Sequence, residues 1–142
     1  MRRITHLGGA RVTLGVPLAF IAAGGPERTV GLAALLAVVS SHLAVQVLKW
    51  IVARPRPCDA CGVPLALIAL PDANSFPSGH AAASMAVAST LTLAHPMLGP
   101  AVLPLAVLVA ISRVRLRVHY TGDVIVGAAL GLGSGVVATL LV

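Results

Sequence analysis

The sequence predicts an all-α integral membrane protein, a bundle of four to five transmembrane helices forming one domain over residues 1–142. Three observations carry that reading. Hydrophobic residues make up 58% of the chain and charged residues 10%. Soluble domains carry about a quarter of their residues charged, so a soluble globule is excluded. Long apolar stretches are punctuated by proline and glycine, as helices long enough to cross a bilayer and the turns between them would be. The few ionisable groups gather at segment ends. Residues 112–123 hold three arginines, a histidine and an aspartate, while residues 73–111 and 124–142 hold no Asp, Glu, Lys or Arg. Ionisable groups concentrated beside membrane segments are expensive to keep and point to function.

In chain order, residues 1–28 comprise a basic head (Arg2, Arg3, Arg11) and a doubtful first membrane segment at 12–23. That segment contains Pro17 and is short of the roughly twenty residues a full span needs. It reads as a short tilted span, an interfacial helix or a leader core, with the retained segment preferred. Gly24-Gly25-Pro26 breaks it. Residues 29–53 form the first full transmembrane helix, in which Ser40, Ser41, His42 and Gln46 are expected to bond to neighbouring helices. Arg54-Pro55-Arg56-Pro57 stops it, because each proline disfavours helix in the residue before it. A proline-rich connector follows to Pro77, its apolar run 65–70 expected in the membrane interface. Helices are then expected over 78–94 with Ser78 as N-cap, over 101–112 and over 123–141. In the last, Gly127 and Gly131, extended by Gly133, Ser134 and Gly135, predict close packing on a neighbour.

Alternating direction through the membrane brings three polar clusters to one face: the end of the first full helix, the start of the next, and the last interhelical turn. The pooled side chains are Lys49, Arg54, Arg56, Ser78, Gly79, His80, Arg113, Arg115, Arg117, His119 and Asp123. Guanidinium forks with a helix N-terminus match phosphate oxygens. His119 and Asp123, four apart, can form an oriented nucleophile or base. His80 can act as general acid. Together they describe metal-free phosphoryl transfer in which cations neutralise charge.

The arrangement Lys49-x6-Arg56-Pro57, Pro77-Ser78-Gly79-His80 and Ser112-Arg113-x5-His119-x3-Asp123 resembles the three-part signature of the type 2 phosphatidic acid phosphatase superfamily. This family holds lipid phosphate phosphatases, polyprenyl diphosphate phosphatases and vanadium haloperoxidases. The signature spans residues 49–123. The resemblance implies a lipid phosphatase without cofactor or metal, acting on a lipid phosphate or diphosphate. By the same resemblance His119 is the nucleophile forming a phosphohistidine, Asp123 its orienting acid and His80 the general acid and base. Lys49, Arg56, Ser78, Gly79 and Arg113 would bind phosphate. Two features depart from the pattern. The family commonly has six transmembrane helices, and Arg115 and Arg117 add cations that, with Arg54, could bind a headgroup. Alternative readings are a non-catalytic lipid-phosphate binder and a vanadate-dependent peroxidase.

The expected partners are a membrane lipid substrate and the bilayer. The +6 net charge fits anionic lipid, and nucleic acid is excluded for want of a basic face interleaved with aromatics. His42 and His95 read as structural or interfacial, and Asp72 and Asn74 as a solvated loop in preference to headgroup contacts. Cys58 and Cys61 supply only half a zinc site; a local disulfide and two free thiols both remain open.

Overall fold

The computed structural model describes all residues except Asp59, Cys61, Pro71 and the side chain of Arg2. Its elements run α1 (Arg2–Thr5), a 3-10 turn (His6–Gly8), α2 (Ala10–Ala23), α3 (Gly25–Val52), α4 (Gly79–Ala94), a 3-10 turn (Pro96–Leu98), α5 (Gly99–Arg115) and α6 (Thr121–Leu141). Every regular element among the described residues is helical. Three helices, Gly25–Val52, Pro96–Arg115 and Thr121–Leu141, are long and apolar enough to cross a membrane. The protein is a multi-pass membrane protein. With 16 residues, α4 is shorter than a full crossing requires. It lies inside the bundle, in contact with α2, α3, α5 and α6, so helices rather than lipid surround it.

Local chemistry explains most boundaries. Gly24 adopts φ +75°, a conformation glycine takes at no steric cost, and turns α2 back into α3. Ser78 caps α4 by accepting the Ala81 N–H. At its C-terminus α5 runs to Arg115, beyond the expected end at Ser112, because Arg113 and Arg115 complement the carbonyl end of a helix dipole. At its start α6 begins at Thr121 rather than Asp123. The Asp123 side chain folds back in the first turn to accept the Tyr120 N–H at 2.8 Å.

Glycine sets the tightest contact. Residues Gly127, Gly131 and Gly135 of α6 face α4, and a Cβ on Gly131 would collide with the Ala82 carbonyl. Gly133 meets no neighbour and lies off this seam. The polar residues of α3 behave differently from expectation. Ser40 and Ser41 donate to carbonyls of their own helix, and His42 pairs with Gln46 of the same helix at 3.1 Å. Association of α3 rests instead on the small apolar residues Ala33, Ala34, Ala37, Val38 and Val45. The short helix α2 is the first leg of a hairpin with α3, tight where Gly31 meets Pro17 and Ile21. Its head, α1 and the first 3-10 turn, packs on α5 and α4.

Candidate active site

The end of α3, the start of α4 and the α5–α6 turn meet at one end of the bundle, around a cavity of about 670 Å³. Its polar end is lined by Lys49, Arg56, Asp72, Gly79, His80, Arg113 and His119. Residues seventy positions apart, such as Lys49 and His119, converge because three helix ends share this face.

His119 is buried in the turn between α5 and α6. Its Nδ1 lies 2.6 Å from the Ser75 carbonyl oxygen, which can only accept, so Nδ1 carries the proton and Nε2 a lone pair. Nε2 stands 3.5 Å from Arg56 Nη1. Burial, followed by the charges of Arg56 and Arg113, pushes the imidazole down to about 3. At neutral pH the ring is uncharged, the state a nucleophile needs.

Asp123 was expected to hold His119. Its Oδ2 lies 3.6 Å from His119 Nδ1, close enough for charge attraction but beyond a good hydrogen bond. That oxygen accepts the Tyr120 N–H, while Oδ1 pairs with Arg54 Nη1 at 3.0 Å. The ring is therefore hydrogen-bonded by a backbone carbonyl, with the carboxylate alongside. The Asp123 carbonyl also accepts the Ser78 N–H at 2.9 Å, tying the start of α6 to the start of α4.

The cations fall into two groups. Arg56 is anchored on three sides: Nε donates to the Asp72 carbonyl, Nη2 to the Asp72 carboxylate, and Nη1 to the Val118 carbonyl, each at 2.8 Å. Lys49 donates to the other Asp72 oxygen at 2.6 Å and to the Asn74 carbonyl at 3.2 Å. Asp72 and Asn74, read as a solvated loop, instead hold both cations in register. Burial would raise the Asp72 carboxyl, but the hydrogen bonds and charges of Lys49 and Arg56 outweigh it and hold the group below the usual carboxylate range. Arg113 differs. It is 2% exposed, has no ion pair among the described residues, and keeps its Nε buried without a hydrogen-bond partner. Its Nη1 donates to Thr5 Oγ1 at 2.7 Å. The lining thus sets three cations against one carboxylate, a balance suited to an oxyanion of more than one charge.

Several expected ligands lie elsewhere. Ser78 is fully buried, its hydroxyl engaged in capping α4, and it does not line the cavity, whereas Gly79 does. Arg54 lies off the cavity, where it pairs with Asp123 and stacks 4.2 Å over the Tyr120 ring, so it supports the neighbour of His119. Arg115 and Arg117 are exposed and off the cavity. Arg115 borders a separate groove between α5 and α6. Arg117 sits at φ +57° in the turn.

Four contributors were missed in the sequence. Thr5 holds Arg113. Gly8 lies so close to His80 that a Cβ there would stand 3.0 Å from the His80 carbonyl. Ser75 offers a backbone carbonyl, and Asp72 a carboxylate. The apolar run 65–70 folds back over the site: Leu67 N–H donates to the Leu116 carbonyl, and Ile68, Ala69 and Leu70 border a pocket with Thr5, His6, His80 and Arg113. Cys58 is exposed, and the expectation about its pairing falls on Cys61, outside the described residues. At the opposite end of the bundle, His95 pairs with Glu27 at 2.9 Å and so ties the α2–α3 turn to the end of α4.

Comparison with known proteins agrees with this architecture. The chain is 35% identical over 108 residues to the undecaprenyl-diphosphatase of Sulfolobus acidocaldarius, a match covering 73% of this chain and 51% of that protein. It is 36% identical over 99 residues to the decaprenylphosphoryl-5-phosphoribose phosphatase of Mycobacterium tuberculosis, covering 68% and 52%. The chain thus spans about half the length of the curated relatives it matches. Among solved structures, the PAP2-type phosphatidylglycerolphosphate phosphatase of Bacillus subtilis superposes with a TM-score of 0.80 at 28% identity, over 99% of this chain and 74% of that one. Aquifex aeolicus LpxE gives a TM-score of 0.80 at 25% identity, over 96% and 81%. The PAP2 superfamily profile matches residues 30–142, and on that match the chain belongs to the PAP2 superfamily.

Proposed function

We propose that this protein is a membrane lipid phosphatase that hydrolyses the terminal phosphate of a lipid phosphate or diphosphate through a phosphohistidine. The observation that carries the reading is the state of His119. Its Nδ1 proton is committed to the Ser75 carbonyl, its Nε2 lone pair stands beside Arg56, and both residues line one cationic cavity. The named relatives support the class, since they act on undecaprenyl diphosphate and decaprenylphosphoryl-5-phosphoribose by their names, and the structural neighbour on phosphatidylglycerolphosphate.

In the proposed cycle Arg56, Lys49 and the free Nε of Arg113 neutralise the phosphate oxygens. His119 Nε2 attacks phosphorus, and an N–P bond forms as the P–O bond to the leaving group breaks. His80, also in the cavity lining, enters the cycle as the imidazolium, a state that the negative charge of the bound phosphate favours against the surrounding cations, and gives its proton to the leaving oxygen. In the second half-reaction the neutral His80 takes a proton from water. The hydroxide attacks phosphorus, the N–P bond breaks, and inorganic phosphate leaves with His119 restored. The Asp123 carboxylate at 3.6 Å offsets the positive charge that the phosphorylated ring carries. A tail remaining in the bilayer while the phosphate reaches the polar end fits the cavity's apolar flank of Leu14, Val39 and Leu43.

Phosphate release from a panel of lipid phosphates in detergent tests the reading. Wild type should turn over at least one of them, and His119→Ala should be inactive on the same lipid. Full activity in His119→Ala would overturn the assignment of the nucleophile. His80→Ala should damage lipid substrates more than an activated aryl phosphate, and equal losses on both would argue against general-acid action.

A further inference from the structure

The apolar flank of the cavity contains one polar feature that the proposed chemistry does not use. His42, Gln46 and Lys49 are spaced i, i+4, i+7, so they lie on one face of α3, and all three line the same cavity. With a rise of 1.5 Å per residue, Gln46 and His42 sit about 5 and about 10 Å further from the helix end than Lys49. They therefore lie on the membrane side of the phosphate-binding residues.

Both side chains are exposed, and their hydrogen bond is to each other, Gln46 Nε2 to His42 Nε2 at 3.1 Å. That pairing places the ring proton on Nδ1 and leaves Gln46 with a second N–H and its carbonyl oxygen. No other helix receives these groups among the described residues. Unsatisfied donors and acceptors at membrane depth are costly unless they face a cavity or a ligand. The cavity beside them leads directly to His119 and His80.

We propose that His42 and Gln46 form a hydrogen-bonding subsite for an oxygen-bearing linker, a glycerol ester or a sugar, placed between the scissile phosphate and the hydrocarbon of the lipid. This rests on the lipid-phosphatase reading above. In a lipid monophosphate whose hydrocarbon begins at the scissile phosphate itself, the atoms at this depth are hydrocarbon and cannot meet these groups. A glycerol- or sugar-linked phosphate presents carbonyl, ether or hydroxyl oxygens there. Desolvated amide and imidazole groups left unpaired then disfavour the linker-free lipid.

The test compares kcat/KM for phosphatidylglycerol phosphate, decaprenylphosphoryl-5-phosphoribose and farnesyl monophosphate, in wild type and in a His42→Leu/Gln46→Leu variant. Exposed apolar replacements on a membrane helix favour insertion, and a thermal melt in detergent verifies folding. The ratio of linker-bearing to linker-free activity should fall roughly tenfold in the variant, the value of one or two such hydrogen bonds. A fall confined to the glycerol lipid or to the sugar lipid names which linker the subsite takes. Unchanged ratios for both, in a variant that still hydrolyses lipid phosphates, would overturn the subsite and leave the phosphatase reading standing. A wild-type protein that releases phosphate from none of the three would overturn the phosphatase reading and the subsite with it.

Discussion

The contact between Thr5 and Arg113 gives a sharp prediction, because it links a segment outside the signature to a proposed phosphate ligand. Arg113 is 2% exposed and Thr5 3% exposed, and the 2.7 Å bond from Nη1 is the one side-chain hydrogen bond Arg113 makes among the described residues. Thr5→Val preserves shape and removes the acceptor. A hydrogen bond to a charged group contributes about 1.5–3 kcal/mol, so the loss corresponds to about 10- to 100-fold in an equilibrium constant. If Thr5 holds Arg113 in the geometry that meets phosphate, that loss falls on anion binding. The inhibition constant for inorganic phosphate or vanadate, measured against lipid phosphate hydrolysis in detergent, should rise by at least about tenfold. Thr5→Ser, which keeps the hydroxyl, should restore it. If Thr5→Val lowered the melting temperature and left the inhibition constant unchanged, the contact would be merely structural and the reasoning refuted.

Other expectations follow from the same geometry. Gly131→Leu should lower the melting temperature sharply or prevent folding, since even a Cβ meets the Ala82 carbonyl, whereas Gly133→Leu, in open space, should be tolerated. Asp123→Asn should slow turnover by about 10- to 100-fold, short of the roughly 10⁴-fold seen when an aspartate alone sets a histidine tautomer, because the Ser75 carbonyl holds Nδ1–H. A loss of 10⁴ in a folded Asp123→Asn protein would return that role to Asp123. The pH dependence of stability has a definite sign. His119 lies near 3 when folded against an ordinary 6.5, so the unfolded chain binds a proton that the folded one refuses between these values. Its contribution is complete above about pH 6.5 and is lost as pH falls toward 3, at up to about 1.4 kcal/mol per pH unit. Melting curves at about pH 7 and about pH 5 should show a smaller acid-induced drop for His119→Gln than for wild type; equal drops would contradict a buried neutral ring.

Much of the fold could be read from composition and punctuation. Proline and glycine marked the turns, Ser78 announced the start of α4, and the four-residue glycine spacing marked the face of α6 that meets it. Helix ends were placed up to four residues short because the sequence reading stopped at charges. In the structure those same charges belong to the helices, Glu27 and Arg28 within α3 and Arg113 and Arg115 within α5. The gathering of Lys49, Arg56, His80, Arg113 and His119 in one cavity was legible because alternating spans force it. What escaped has a physical reason in each instance. The Ser75 carbonyl is backbone, and every residue has one. Asp72 lies in a proline-rich connector whose path sequence periodicity cannot trace. Thr5 is an ordinary residue in a four-residue helix, and its value comes from a partner 108 positions away. Arg54, Arg115 and Arg117 looked alike on paper; depth separates them, one turned onto Asp123 and two outward.

The measurement that tests the central claim most directly is trapping of the intermediate. Wild-type protein would be mixed with a lipid phosphate labelled in its terminal phosphorus, quenched in alkaline detergent within the first turnover, and separated from free label. Wild type should carry label that is stable to alkali, lost in acid and located by peptide mapping to His119, and His119→Ala should carry none. Label on another residue, or undiminished label in His119→Ala, would contradict the account.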